Sequence, residues 1–516
     1  MRFKPVLITL LSVLAFVQAG AQEKIESPKL LVTITIDQLR SDFMYEFEDL
    51  YTPDGFKKLL AGGRVYPNSY YAFENIDRAS AAATLATGTN PYTHGIVGEQ
   101  WLDRASLRIV NSTDDSKRQG LYTNSKVSPI KLKAISLSDE IRRATRGKAQ
   151  ICAIAPNCDM AVMQGGHDAN IVLWKNDDTG YWCSSSYYGL FPEWAVKMNK
   201  KFVGRDSKWE PMYPTELYNN FGEKAPKQFT YNFNGKTDVR NYKTSACIND
   251  EINEMAIACL RNSDMGLDNI VDMLSITYYA GNYNNVSMED RPIEIQDIYT
   301  RLDKNIADLL KELDRRIGLQ NVVISVASTG YVVEDDSNDE KYRLPSGTIH
   351  MDRIQALLNV YLSALFGKGN YIDGFYNSEF YLNRKMLEQT KLNKVDVVSH
   401  AVEFLKSVDG VEDVFTIYRL GGMLSPELQY VKNGYNAKCS GDIWLRLMPG
   451  WKMAKDVVSA TNLVRRSPVT FPIIVYGAGV DAKVIEDFTP ANILAPELAN
   501  ILHIRRPNDN CLRIFK

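Results

Sequence analysis

Asp37 closes a continuous apolar and β-branched run, Leu30 to Ile36 (LLVTITI). A carboxylate at the carboxyl end of a strand buried on both faces stands where open α/β sheets place ligands and chemistry. Further along, Ile76 to Gly98 reads IDRASAAATLATGTNPYTHGIVG, an Ala-rich helical half followed by the breakers Gly88, Asn90-Pro91 and Gly95. Among its polar members are a fixed cation, Arg78, and the hydroxyls Ser80 and Thr84. Ser80 lies about 200° round the helix from Arg78 and Thr84 nearly two turns away, so neither shares its face. Other chemistries lack their residues. The five histidines (His94, His167, His350, His400, His503) form no HxxxH, HxH or Asp-x-x-x-His set that zinc would need. No G-x-S-x-G elbow occurs, and none of the seven cysteines forms a CxxC pair. The acidic run Glu334 to Glu340 (EDDSNDE) lacks the turn glycine and the bidentate Glu of a calcium loop and reads as solvated.

The elements that must position these residues alternate strand and helix. Buried strands are read at Leu30–Ile36, Ala149–Ala155, Ile270–Thr277, Asn321–Ala327 and Phe471–Gly477, with a shorter one at Asn170–Trp174. Helices are read at Pro53–Leu60, Ile130–Arg146, Tyr242–Arg261 and Ala491–Leu502. The clearest spans Ile295–Ile317, where Ile295, Ile298, Leu302, Ile306, Leu309, Leu313 and Ile317 form one apolar stripe. This rhythm predicts an α/β fold, a doubly wound and mostly parallel sheet. Residues 177–239, rich in aromatics and proline, read as an insertion. Residues 334–448, with helices at Met351–Phe366 and Val395–Lys406 and a strand at Ile443–Leu447, read as a second one, forming a cap or lid. The core is expected over about 28–176, 240–333 and 449–510.

Composition bounds the function classes. The 516 residues are 45% hydrophobic and 24% charged, with a net charge of −2. Such a chain forms a large core and gives no electrostatic case for nucleic acid or an anionic membrane. Residues 1–21 have the pattern of a signal peptide: Arg2 and Lys4, an apolar stretch Val6–Val17, then Ala19-Gly20-Ala21. The expectation is an exported protein, periplasmic or secreted, with no transmembrane segment in the mature chain.

The order of motifs resembles the alkaline phosphatase superfamily, in the branch of type I phosphodiesterases/nucleotide pyrophosphatases and secreted phosphate-irrepressible alkaline phosphatases. The residues that carry the resemblance are ITIDQLRSD (34–42), ATLATGTNPYTHGIVGEQW (83–101), QDIYTRLDKNIADLL (296–310) and FPIIVYG (471–477). It implies the α/β fold with inserted cap segments. It also implies a site in which two zinc ions about 4 Å apart activate a Thr or Ser nucleophile. Carried over position by position, the pattern keeps Asp37 as first ligand and puts Arg78, nine residues before Thr87, at the nucleophile. Tyr278 and Asn282 stand where an Asp-x-x-x-His pair belongs, Ser328 and Thr329 where an adjacent Asp-His belongs, and Thr470 where a late His belongs. The phosphate-binding Lys, Arg and Asn map to Asn157, Asp159 and Glu99, two of which repel phosphate.

The resemblance therefore implies a pseudoenzyme without the two-zinc site, acting as a binding or scaffolding module in the cell envelope. No catalytic residue, metal ligand set or cofactor is expected. The remnant pocket would comprise Asp37, Arg78, Tyr278, Asn282, Ser328, Thr329 and Thr470. Arg78 is expected to stand in for the lost metal charge through a salt bridge to Asp37, or to bind an anionic small molecule. The protein partner is unknown. The alternative is an active phosphomonoesterase or phosphodiesterase with a divergent site and two zinc ions.

Overall fold

The computed structural model describes residues 27–202, 206–219, 228–234, 238–286, 291–333, 345–422, 425–455 and 466–509. The expected signal peptide, the acidic run Glu334–Glu340 and Cys511 lie outside the described residues.

The strands of the central sheet are β1 (Leu30–Asp37), β2 (Arg64–Tyr70), β3 (Ile151–Ala155), β4 (Ile171–Lys175), β5 (Trp182–Ser185), β6 (Asp272–Tyr279), β7 (Val322–Ser328) and β8 (Phe471–Gly477). They lie in the order β2-β8-β7-β1-β6-β3-β4-β5, with Lys483–Val484 and Gly120–Leu121 outside the two ends. The middle five, β7-β1-β6-β3-β4, run parallel. β8 is antiparallel to β7, and β5 to β4. All eight residues of β1 are buried, as its unbroken apolar run requires of a strand covered on both faces.

The helices used below are α1 (Arg78–Thr87), α2 (Cys158–Gly165), α3 (Val239–Lys243), α4 (Ala246–Arg261), α5 (Pro292–Arg316), α6 (Met351–Phe366), α7 (Lys394–Lys406) and α8 (Leu494–Ile501). Val32, Ile34 and Ile36 of β1 pack with Ile248 and Ile252 of α4 and Ile298 and Leu302 of α5. On the other face Leu31 shares a cluster with Ala81 and Leu85 of α1 and Leu494 and Leu498 of α8. The strand period of two therefore sends Asp37 to the α1 side and its neighbour Ile36 to the α4 side.

One expectation needs correction. The helix expected over Ile130–Arg146 is confined to Leu137–Ala144, because Ser136 and Asp139 close a reciprocal capping box that starts it late. The described residues within 177–239 pack into the main core. They supply β5, and Trp182 and Trp209 are fully buried in the main core. Each indole N–H donates to a carboxylate there: Trp182 to Glu251 (2.7 Å), Trp209 to Asp297 (2.6 Å). The cap carries a four-stranded antiparallel sheet and the helices α6 and α7, with an apolar core of its own.

Candidate functional site

α1 is held at its start by Asp77, whose carboxylate accepts from Ser80 N while the Ser80 hydroxyl oxygen accepts from Asp77 N, a reciprocal capping box. Nine of its ten residues are buried. Ala79, Ala82 and Ala83 meet Met160, Ala161 and Val162 of α2, and side chains this small let the two helices approach closely. That approach brings Arg78, the first residue of α1, to Asp159 in the first turn of α2. Arg78 Nε lies 3.3 Å from Asp159 Oδ2, and Nη2 lies 2.8 Å from Glu99 Oε2. The other Glu99 oxygen accepts from Arg466 Nη2 at 2.8 Å, and the Arg466 guanidinium rests 5.5 Å from the Tyr331 ring centre. Charges thus alternate along a chain Asp159–Arg78–Glu99–Arg466.

The salt bridge expected between Arg78 and Asp37 is not formed. The ion pairs of Arg78 among the described residues are those to Glu99 and Asp159, and they occupy both the Nε and the Nη2 edge. Asp37, 2% exposed, instead accepts from the Thr329 hydroxyl at 2.8 Å, and that oxygen accepts from Gln38 N at 2.9 Å. Burial raises the Asp37 carboxyl above its ordinary pKa, while the through-space charge of Arg78 and the Thr329 hydrogen bond pull it back. Burial also opposes the charge of Arg78, but Asp159 and Glu99 outweigh it and hold the guanidinium well above its usual value. Glu99 is pushed to about 7, by burial first and by Asp159 and Asp77 next, against the pull of Arg78 and Arg466.

The remaining ligand positions scatter. Ile36 pairs with Tyr278 and Asp37 with Tyr279 in the β1–β6 register. Tyr278 therefore faces α4, where its hydroxyl donates to Asn253 Oδ1 at 2.9 Å. Tyr279, which sequence reasoning missed, feels the charges of Asp37 and Arg78, as Tyr331 does. Asn282 contributes its backbone carbonyl, which accepts from the Tyr279 hydroxyl at 2.8 Å. The Ser328 hydroxyl donates to Leu39 O at 2.8 Å and accepts from Gly330 N at 3.1 Å. Thr470 is exposed, and its carbonyl accepts from Ser41 N at 3.2 Å.

These side chains do not fit a two-zinc centre, which needs imidazole nitrogens and carboxylate oxygens converging at about 2.0–2.2 Å. Asp37 is the one carboxylate among them, and the hydroxyls of Ser328 and Thr329 are committed to the protein. Among the described residues no three His, Cys, Asp or Glu side chains gather to hold a metal. His94 is fully buried with its pKa lowered to about 3 by that burial. Its Nδ1 accepts from Ile96 N, which leaves Nε2 to donate to the Thr84 hydroxyl at 3.1 Å. His167 pairs with Asp139 at 2.8 Å.

Beside Arg78 opens a cavity of about 390 Å³ whose lining includes Glu99, Asn157, Asp159, Trp174 and Lys243. Lys243 of α3 pairs with Asp177 and reaches Asn157 Oδ1 at 3.3 Å. Sequence reasoning missed Lys243, Arg466 and Tyr331. Arg466 and Lys243 lie far along the chain from Ile76–Gly98, in stretches without a motif, so no local signal marks them.

A sequence profile of the type I phosphodiesterase/nucleotide pyrophosphatase family matches residues 31–464. A protein of Myroides odoratus named calcium-transporting ATPase is 28% identical over 537 aligned positions, covering 99% of this chain and 98% of its own. Alkaline phosphatase PafA of Elizabethkingia meningoseptica is 27% identical, covering 95% and 94%. The crystal structure of PafA superposes with a TM-score of 0.78 at 24% identity, over 93% of this chain and 97% of that one.

Proposed function

The chain belongs to the type I phosphodiesterase/nucleotide pyrophosphatase family, and from that premise we propose that it is a non-catalytic member, an exported binding or scaffolding module of the cell envelope. The observation that carries this reading is Arg78. A guanidinium that cannot act as a nucleophile stands where the resemblance places one, tied to Glu99 at 2.8 Å and Asp159 at 3.3 Å. The metal-ligand positions support it, since the hydroxyls of Thr329 and Ser328 bond within the protein and Tyr278 points to the opposite face. Export rests on the pattern of residues 1–21. An anion at Arg78 would compete with the Asp159 and Glu99 carboxylates that already pair with it.

The second reading, a phosphomonoesterase or phosphodiesterase with a divergent site, is favoured by the relatives named alkaline phosphatases, which align over nearly their whole length. Purified protein incubated with zinc separates the two. A non-catalytic member retains far less than one zinc per chain after desalting. It turns over neither p-nitrophenyl phosphate nor bis-p-nitrophenyl phosphate above buffer. Turnover that chelation abolishes would overturn the proposal.

A further inference from the structure

We propose that the cavity beside Arg78 takes a neutral oligosaccharide, with the exposed Tyr122 ring as the platform for one sugar. The inference rests on the non-catalytic reading of this same cavity and names its ligand class. The first support is charge. Arg78 and Lys243 face the cavity already paired with carboxylates, and Lys175 is paired with Glu251 at 2.6 Å. Asp114, Asp159 and Asp178 also line it against one further cation, the solvent-exposed Arg240, so a dianion meets repulsion at most of the wall.

The second support is the neutral part of the lining. Ser112, Thr113, Thr123, Ser125, Asn157 and Asn176 present hydroxyls and amides, groups that both donate and accept. The Ser112 hydroxyl is buried and has no hydrogen-bond partner. The Asp114 and Asp178 carboxylates add acceptors for sugar hydroxyls. Walls of this kind discriminate by hydrogen bonding to hydroxyls.

The third support adjoins the cavity at Thr123 and Asn176. Tyr122 is 45% exposed, and its ring centre lies 4.7 Å from Phe191 and 5.9 Å from Tyr181. Its backbone is in the left-handed region (φ 63°), rare for an aromatic residue, and its carbonyl accepts from Asn176 Nδ2 at 3.3 Å. Asn176 N in turn donates to Tyr181 O at 2.8 Å. One polar side chain of the cavity wall thus ties down an otherwise unfavourable backbone conformation at a half-exposed aromatic ring. A pyranose has the matching chemistry: an apolar C–H face for the ring and a hydroxyl edge for the walls.

The test is a panel of neutral hexose, hexosamine and pentose oligosaccharides, with the tightest binder titrated by calorimetry in the presence and absence of inorganic phosphate. Binding is expected to fall at least tenfold in Tyr122→Ala, to survive in Tyr122→Trp, and to be unaffected by phosphate. Circular dichroism should show both variants melting like the parent. Should Tyr122→Ala not fold, the exposed Asp178→Asn replaces it, with a threefold or greater loss expected. No binder in the panel, a binder indifferent to these substitutions, or one displaced by phosphate would each overturn the inference. A parallel p-nitrophenyl phosphate assay keeps the two readings apart: turnover there sinks the non-catalytic reading, whereas a failed panel without turnover sinks the oligosaccharide alone.

Discussion

Arg78 stands where the resemblance places a hydroxyl nucleophile. A cation in place of a hydroxyl needs counter-charge, and Asp159 and Glu99 supply it from positions that the resemblance assigns to phosphate-binding Arg and Asn. Removing the cation would strand Asp159 and leave Glu99 with Arg466 alone. Arg78→Met is therefore expected to cost about 2 kcal/mol by chemical denaturation, toward the low end for a broken buried pair because 28% of the side chain stays exposed. Adding Glu99→Gln should recover about half of it, a coupling that a double-mutant cycle reads directly. Glu99 also sets a pH dependence. Its folded pKa, about 7, is raised above the ordinary carboxylate value, so between about pH 4.5 and 7 the folded protein holds a proton that the unfolded chain has released. That contribution is largest at acid pH and is lost as pH rises through 7. Across this window the parent should lose about 2 kcal/mol more than Glu99→Gln in urea titrations.

At the scale of elements, the site depends on how closely α1 can approach its neighbours. Its alanines admit α2, and its C-terminal Gly88, at φ 67°, sits where an added Cβ would lie 2.7 Å from Pro496 Cδ of α8. Gly88→Ala combines an unfavourable left-handed backbone with overpacking. It should destabilise by about 2 kcal/mol, visible as a lowered melting temperature. Strand register is as decisive. The resemblance aligned Tyr278 with a metal ligand, yet its pairing with Ile36 turns it to α4, and Tyr279 takes the face beside Asp37. A strand inverts its facing with every residue, so alignment to a motif cannot guarantee direction where the motif residues have been replaced.

Across the whole molecule, the cap is fastened to the core by buried charge. Asp442, 2% exposed at its side chain, accepts from Arg104 Nη1 at 2.7 Å, from Arg384 at 2.8 Å and from Lys394 at 3.2 Å. Arg104 stands in the turn between Gln100–Asp103 and Arg108–Asn111, so this pair joins the segment following Glu99 to the cap sheet. The Arg104 guanidinium also lies 4.8 Å from the Tyr381 ring centre. Arg104→Ala should raise amide hydrogen exchange in Glu379–Leu382 while leaving β1 protected, a local loss of about 1 kcal/mol because Arg384 and Lys394 remain. Arg446 makes a second tie, to Glu74 in the core and Glu427 in the cap.

What the sequence by itself determined about this protein is what short-range pattern carries. An unbroken β-branched run specified β1 as a central parallel strand, and a period near 3.6 specified α5 to within a few residues. The residues at the positions that the resemblance assigns to zinc ligands are equally visible, because they are identities at motif positions. Only the tertiary structure decided which charges meet. Arg466 and Lys243 reach the site from remote segments, and Arg78 chose Glu99 and Asp159 over Asp37. Tyr122 adjoins the cavity because Asn176 crosses to hold it. Such pairings depend on distances of a few ångströms between parts of the chain far apart in number, and no local periodicity encodes them.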